Sequence, residues 1–347
     1  MIPHNLPTLG TAEQDAASRV LASGWVAQGR EVAAFEDEVC EYTGLESGHA
    51  VALSSGTAAL FAALWALGAK GKRVAIPVYS CAALRNAVIM AGGMPVAVDV
   101  GADSPNIDLD EAFASQADLV IAAHIFGIPG RLPRGSASVP VIEDCAQAFG
   151  SRIDGSAAGT QGALGVFSFY ATKMLTSGGQ GGMLVSRDKA LIEAVRDYRE
   201  FDCRHDRMPR FNLQMTDLQA AVGRAQLRQI DQFLERRKLN RAAYRAAGLP
   251  LWPSVLGQGI ESCNYRAILR VSDPQRLIAH LEAQGIRAIV PIADWELLED
   301  AERFPRAAAL ARATVSIPVH PALAHDELVR VVAAAAPPYS SAELEKR

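Results

Sequence analysis

Short apolar runs of β character alternate with helical stretches through the first 145 residues, and the links between them are only a few residues long. The runs end at Leu53 in AVAL and continue as RVAIPV (73–78), MPVAVDV (94–100), ADLVIAAHIFG (117–127) and VPVIEDC (139–145). An Ala/Leu-rich helix after Thr57 and CAALRNAVIMAG (81–92) lie between them. Strands that are apolar on both faces need cover on both faces, and helical crossovers lay successive strands parallel. The pattern predicts an α/β domain with a mostly parallel central sheet covered by helices.

Two amphipathic helices precede this region: TAEQDAASRVLAS (11–23), stopped by Gly24, and GREVAAFEDEVCEYTG (29–44). The stretch 218–248 reads as one long helix or two, and its arginines read as a solvated face rather than an anion site. After Gly248-Leu249-Pro250 come YRAILRVS (265–272), the helix PQRLIAHLEAQG (274–285) and IRAIVPI (286–292), a compact α+β unit. The expected division is a large domain over 1–245, with an N-terminal arm at 1–12, and a small C-terminal domain over 246–347.

Charge and cysteine usage narrow the function classes. Net charge is -4 with both signs dispersed, and no basic stripe calls for nucleic acid. The five cysteines form no CxxC pair and no metal-ligand spacing, so they read as reduced thiols of a cytoplasmic protein without a metal. MIPHNLPTLG lacks the pattern of a signal peptide, and apolar runs are broken short of a membrane span.

Three features follow strands, which is where a doubly wound sheet binds ligands. Ser55-Gly56-Thr57 opens a helix, either as a phosphate site or as an ordinary capped turn. Glu143-Asp144 ends an apolar strand. Burying two acids is costly unless they are paired, so one is expected to face solvent and the other to meet a cation or to cap the next helix. FSFYATKMLTSGGQGG (167–182) carries a hydroxyl at Ser168, an amine at Lys173 and a glycine turn at 178–182. A lysine can form a Schiff base with an aldehyde, and an aspartate facing a pyridine nitrogen is its partner in a pyridoxal phosphate site. The three features fit that one cofactor: phosphate at 55–57 and Ser168, ring nitrogen at Asp144, aldehyde at Lys173.

These motifs resemble the DegT/DnrJ/EryC1/StrS family of pyridoxal-phosphate-dependent sugar aminotransferases, of fold type I. SGWVAQGREVAAFE (23–36), SSGTAAL (54–60), VIEDCAQAFGS (141–151), FSFYATK (167–173), GGQGGMLV (178–185), FNLQMTDLQAAVGRAQL (211–227) and FPRAAALARATVSIPVHPAL (304–323) follow in family order. The resemblance implies that Lys173 carries the cofactor and moves the proton, and that Asp144 keeps the ring nitrogen protonated. It places Gln147 beside the ring near its phenolic oxygen, and Gly56, Thr57 and Ser168 on the phosphate. It implies that Asn212 reaches the phosphate of a neighbouring subunit, hence a homodimer. The implied reaction takes an amino group from an amino acid, glutamate or glutamine, to a nucleotide-linked keto sugar; a cyclitol or other cyclic ketone is a further acceptor class.

The chain departs from the family pattern at three places. Cys81 stands where an aromatic would stack on the ring, with Tyr79 nearby. IVPIAD (289–294) replaces a stretch that many members read as HYP, and Arg210 stands where a small residue is expected. His124 matches a family histidine but reads equally as a core histidine. Trp25 reads as a substrate-mouth or a packing residue, and Tyr170 as structural. Two rivals are a dehydratase-like relative, whose branch carries histidine in place of Lys173, and a catalytically silent binder of pyridoxal phosphate or sugar nucleotide.

Overall fold

The computed structural model describes residues 1–133 and 139–336. Helices Thr11–Ser23 (α1) and Arg30–Thr43 (α2) lead the chain and stop at Gly24 and Gly44, each with φ of 74°. The alternation then follows as Ala50–Leu53 (β1), Gly56–Ala66 (α3), Arg73–Pro77 (β2), Ala83–Met90 (α4), Met94–Val98 (β3), Leu109–Ala114 (α5), Leu119–Ala123 (β4) and Val141–Asp144 (β5). A small hairpin, Arg152–Ile153 (β6) and Ser156–Ala157 (β7), leads to Leu164–Ser168 (β8) and Gly182–Val185 (β9). Helices Lys189–Arg199 (α6), Asp217–Leu227 (α7) and Ile230–Ala246 (α8) follow. The remainder is Leu251–Trp252 (β10), Ile260–Glu261 (β11), Ala267–Arg270 (β12), Pro274–Ala283 (α9), Pro305–Ala313 (α10), Thr314–Ile317 (β13) and His325–Ala335 (α11).

Seven strands form the main sheet in the order β1-β9-β8-β5-β4-β2-β3. Strand β9 runs against both of its neighbours, and the other pairings are parallel. Every residue of β1, β4, β5, β8 and β9 is buried, and β1, β4 and β5 lie within the apolar runs of the sequence for that reason. Because β9 reverses between β1 and β8, those two strands point the same way as β5. The chain therefore leaves β1 at Leu53, β5 at Asp144 and β8 at Ser168 on one edge of the sheet. Strands β8 and β9 and helices α5 and α6 lie outside the expected alternation. IRAIVPI makes only isolated bridges, Ile286 to Ile2 and Ile289 to Ser316. Among the described residues no helix is long and apolar enough to cross a membrane.

A second sheet, β10-β12-β13, is antiparallel and covers a core that includes Leu251, Leu269, Leu281 and Val315. The N-terminal arm joins it: the Ile2 N–H donates to Gly285 O (2.7 Å) and its carbonyl accepts from Arg287 N (3.0 Å).

The 218–248 stretch is two helices, and Arg228 and Arg245 are exposed as the solvated-face reading expects, whereas two other arginines depart from it. Arg224 pairs with Glu31 and Glu38 of α2. Arg237 is 2% exposed and donates to Tyr265 O at 3.1 Å. The TD pair of FNLQMTDLQ has a structural use. Thr216 caps α7 in a reciprocal box with Gln219, and the Asp217 carboxylate accepts from Val32 N (3.0 Å) in the first turn of α2. Arg210 is accounted for by ion pairs with Asp206 and Asp197.

Glu36 of α2 joins three elements beneath the sheet edge. Its carboxylate accepts from Arg199 Nη1 (2.5 Å) and Arg196 Nη1 (2.6 Å) of α6 and from Ala52 N of β1 (2.8 Å). Glu36 and Arg199 are 5% and 4% exposed. Replacing Glu36 by Ala leaves buried Arg199 with only the longer carboxylate contact of its Nε to half-exposed Glu200 (3.7 Å), a loss of about 3–5 kcal/mol for a buried pair broken on one side. Glu36→Ala is expected to lower the thermal midpoint by several degrees in calorimetry; an unchanged midpoint would show that water reaches Arg199 and that the pair ties nothing together.

Candidate active site

Successive side chains of a strand point to opposite faces, so Glu143 and Asp144 at the end of β5 have separate surroundings. Glu143 is fully buried, which corrects the expectation that one of the two acids faces solvent. Its Oε1 accepts from Gln161 N and Gly162 N (both 2.7 Å), and its Oε2 from Gly159 N (3.1 Å) and His124 Nε2 (2.9 Å). Burial pushes this carboxyl up, but His124 and the backbone N–H groups outweigh it and hold it below the usual range. The other nitrogen of His124, Nδ1, accepts from Gly130 N at 3.1 Å, so Nε2 carries the proton that Glu143 receives. His124 is thus a core histidine that locks the end of β4 to β5.

Asp144 is 7% exposed, and its single hydrogen-bond partner among the described residues is Ala146 N, at 2.9 Å. Burial raises its carboxyl above the ordinary aspartate value; Ala146 N–H, Lys173 and His124 only partly offset that. A buried carboxylate that protein donors leave underpaired is shaped for a cationic guest.

The edge beside β1 and β8 forms the second part of the site. Ser55 caps α3, its hydroxyl accepting from Ala58 N at 3.1 Å. A Cβ on Gly56 would sit 2.7 Å from Ser168 Cβ and 3.0 Å from its Oγ. Only glycine lets the start of α3 meet the Ser168 hydroxyl, and together they make a cradle of N–H and O–H donors at a helix N-terminus. Gly182 is needed for the same reason, since a Cβ there would lie 2.2 Å from Ser55 O.

The glycine turn also holds the lysine loop. Gly178 and Gly179 have φ of 75° and 130°, conformations that exclude most side chains. In return Phe169 N donates to Gly181 O (2.8 Å) and Ala171 N to Gly179 O (3.1 Å). On the other side, Asn5 Nδ2 of the N-terminal arm donates to Thr172 O at 2.7 Å. Lys173 is thereby fixed from two directions, with Nζ 5.6 Å from the ring centroid of Tyr265. Burial pushes the Tyr265 phenol up, and Lys173, Arg266 and Arg237 more than reverse it, leaving it below the ordinary tyrosine value.

The remaining expected residues are less tightly gathered. Gln147 accepts from Phe126 N through Oε1 (2.8 Å), and Phe126 holds a left-handed φ of 62° there. Tyr79 is fully buried against Phe126, whereas Cys81 is exposed. Asn212 is exposed, with Oδ1 accepting from Gln214 N (3.1 Å), and its neighbour Leu213 accepts from Ser54 N (2.8 Å) through its carbonyl. Trp25 and Tyr170 are 63% and 44% exposed, so neither is a core residue. Sequence reasoning missed Asn5, His4, Tyr265 and Arg266. The arm was read only for targeting signals, and YRAILRVS only as a strand.

Pyridoxal phosphate fits these residues. The Gly56–Ser168 cradle suits a phosphate, the underpaired Asp144 carboxylate suits a pyridinium N–H, and Lys173 is the amine that lies in electrostatic reach of Asp144.

Residues 7–336 match the model of the DegT/DnrJ/EryC1/StrS aminotransferase family. The chain is 31% identical over 346 residues to a dTDP-3-amino-3,4,6-trideoxy-alpha-D-glucose transaminase of Streptomyces venezuelae, covering 92% of this chain and 90% of that protein. It is 32% identical over 272 residues to a GDP-perosamine synthase of Vibrio cholerae, covering 72% of each. Its fold is similar to the crystal structure of the aminotransferase TlmJ from Streptoalloteichus hindustanus, with a TM-score of 0.90, 30% identity, and 96% and 98% of the two chains covered.

The raised Asp144 carboxyl has a consequence for stability. A group whose folded value is raised favours folding at low pH, and that contribution is lost as pH rises through the folded value. Asp144→Asn removes this loss while keeping an acceptor for Ala146 N. At pH 8 the cofactor-free variant is expected to melt higher than the cofactor-free wild type, and the gap should close below about pH 4, where an ordinary aspartate is itself protonated. A variant that melts lower at pH 8 would mean that Lys173 satisfies the carboxylate fully.

Proposed function

Because the chain belongs to the DegT/DnrJ/EryC1/StrS aminotransferase family, we propose that it transfers an amino group from an amino acid, glutamate or glutamine, to a keto sugar carried on a nucleotide. The carrying observation is the buried, underpaired Asp144 within electrostatic reach of Lys173, on the sheet edge where Gly56 packs against Ser168. When bound, pyridoxal phosphate supplies an aldehyde and an electron-withdrawing ring. Lys173 would hold the cofactor through its Nζ, and the same amine, when free, would take the proton from the donor carbon. Asp144 keeps a proton on the ring nitrogen. The Gly56 and Thr57 N–H groups and the Ser168 hydroxyl would hold the cofactor's phosphate, and Gln147 would hold the ring on the side of its phenolic oxygen. A lysine at 173 disfavours the dehydratase-like relative, and the complete set of Lys173, Asp144 and Ser168 disfavours a silent binder.

The same reading takes 1–245 as the cofactor unit and 246–347 as the smaller unit. It sets the enzyme in the cytoplasm, in keeping with five free cysteines. It also makes the enzyme a homodimer in which Asn212 completes the partner's phosphate cradle. Support for the dimer comes from large apolar side chains left in solvent near this segment: Phe211 is 53%, Met208 38% and Phe201 37% exposed.

Two measurements test this. Borohydride treatment of the yellow holoenzyme is expected to fix the cofactor on the peptide carrying Lys173, and Lys173→Ala should lose turnover while retaining cofactor affinity in part; an adduct on another lysine refutes the assignment. For the dimer, the inactive variants Lys173→Ala and Asn212→Asp are mixed. Hybrid dimers carry one site with both native residues, so activity should reappear. No rescue despite demonstrated subunit exchange would put Asn212 in its own subunit's cradle, beside Ser54.

A further inference from the structure

Three cations surround one phenol ring. The guanidinium carbon of Arg266 lies 5.2 Å from the Tyr265 ring centroid, Lys173 Nζ 5.6 Å, and the guanidinium carbon of Arg237 6.0 Å. Among the described residues none of the three makes an ion pair with a carboxylate, although other arginines of the chain do so readily: Arg199 with Glu36, Arg210 with Asp206, Arg224 with Glu38 and Arg306 with Glu111. Asp144 acts on Lys173 from the ring-nitrogen side.

The neighbours of these cations add no acid. Arg266 Nη1 donates to His4 Nε2 at 3.2 Å, and the Ser316 hydroxyl lies 2.8 Å from the same nitrogen. Burial, and then the nearby guanidinium groups of Arg266, Arg287 and Arg237, hold His4 at about 3, so it stays neutral and accepts. Arg237 is buried and fixed on Tyr265 O, and its Nε has no partner among the described residues. Arg266 is only half-buried, and so a small molecule can reach it. Cations gathered at one ring with no carboxylate partner among the described residues await an anion.

We propose that Arg266, oriented by His4 and stacked at Tyr265, binds the α-carboxylate of the amino donor. The inference rests on the aminotransfer reading. The donor's carboxylate is bonded directly to the carbon whose proton Lys173 must take. The cation that holds this carboxylate must therefore stand beside the lysine, as Arg266 does across one ring. The acceptor's diphosphate is separated from its ketone by several bonds of sugar ring, so its charge falls away from Lys173. The planar fork of an arginine also matches a carboxylate through two N–H groups. The N-terminal arm has a role in this account, because His4 holds Arg266 while Asn5 holds the Thr172 carbonyl beside Lys173.

Arg266→Gln keeps polar N–H donors and drops the charge, and Arg266→Lys keeps the charge and loses the fork. Three readouts are taken on each, as holoenzyme with cofactor content verified. The first is loss of the Schiff-base absorbance on adding glutamate. The second is its return when the enzyme loaded with the amine form of the cofactor meets a keto-sugar nucleotide. The third is calorimetric binding of glutarate, which has the carboxylates of glutamate and no amine. Arg266→Gln should raise both half-saturating glutamate and the glutarate Kd by about ten- to a hundredfold, and Arg266→Lys should raise them less. The acceptor response should stay near that of the wild type. Unchanged glutamate and glutarate responses overturn the proposal. So does a selective loss on the acceptor side, which would assign the guanidinium to the diphosphate. If the wild type fails the first readout with glutamate and with glutamine, the aminotransfer reading falls, and the glutarate arm still decides whether Arg266 anchors a carboxylate.

Discussion

The site depends on the four hydrogen bonds that converge on the Glu143 carboxylate. Three come from the backbone of the 159–162 turn and one from His124. They join the ends of β4 and β5 to the turn that leads into β8. A charged acceptor with four donors in a fully buried site is strongly held, and removing it would leave those donors unpaired. With Glu143 fixed, the next residue has no choice of face. Asp144 must project to the other side, towards Lys173. Two adjacent acids thus divide the work: one is consumed by the fold, and the other is kept underpaired for a ligand.

The same division recurs around the cleft. Glycines 56 and 182 give up side chains so that β1, β8, β9 and α3 can meet at one corner, and that corner exposes N–H and O–H groups. Thr216 and Asp217 stabilise helix starts, while the preceding residues 211–213 run past Ser54. Lys173 is held by the glycine turn on one side and the N-terminal arm on the other. Rigid neighbours around a few underpaired charges are what preorganisation requires.

Much of this was legible in the chain. The strands that end at Leu53, Pro77, Val98 and Asp144 are continuous apolar runs between helices, so local pattern suffices. The Ser55–Thr57, Asp144 and Lys173 features each follow a strand, and their order points to one cofactor. What could not be read depended on contacts between distant segments. That Glu143 is buried depends on N–H groups sixteen to nineteen residues later. Arg237 lies on a helix whose other arginines, Arg236, Arg241 and Arg245, reach backbone carbonyls nearer the surface, and only the packing of Tyr265 on it shows that it is buried. Strand β9 lies inside the sheet but is only four residues long and follows a turn in which three of the five residues 177–181 are glycine, so periodicity has little to work on. The arm matters through His4 and Asn5, whose partners Arg266 and Thr172 are 262 and 167 residues away.

The central claim is that Asp144 is left underpaired by the protein so that it can hold a proton on the cofactor's ring nitrogen. Reconstitution with pyridoxal phosphate labelled with nitrogen-15 in the ring tests this directly by nuclear magnetic resonance. The account predicts a protonated ring nitrogen in the wild-type holoenzyme at pH 8 and an unprotonated one in Asp144→Asn. An unprotonated nitrogen in the wild type, or a protonated one in the variant, would contradict it.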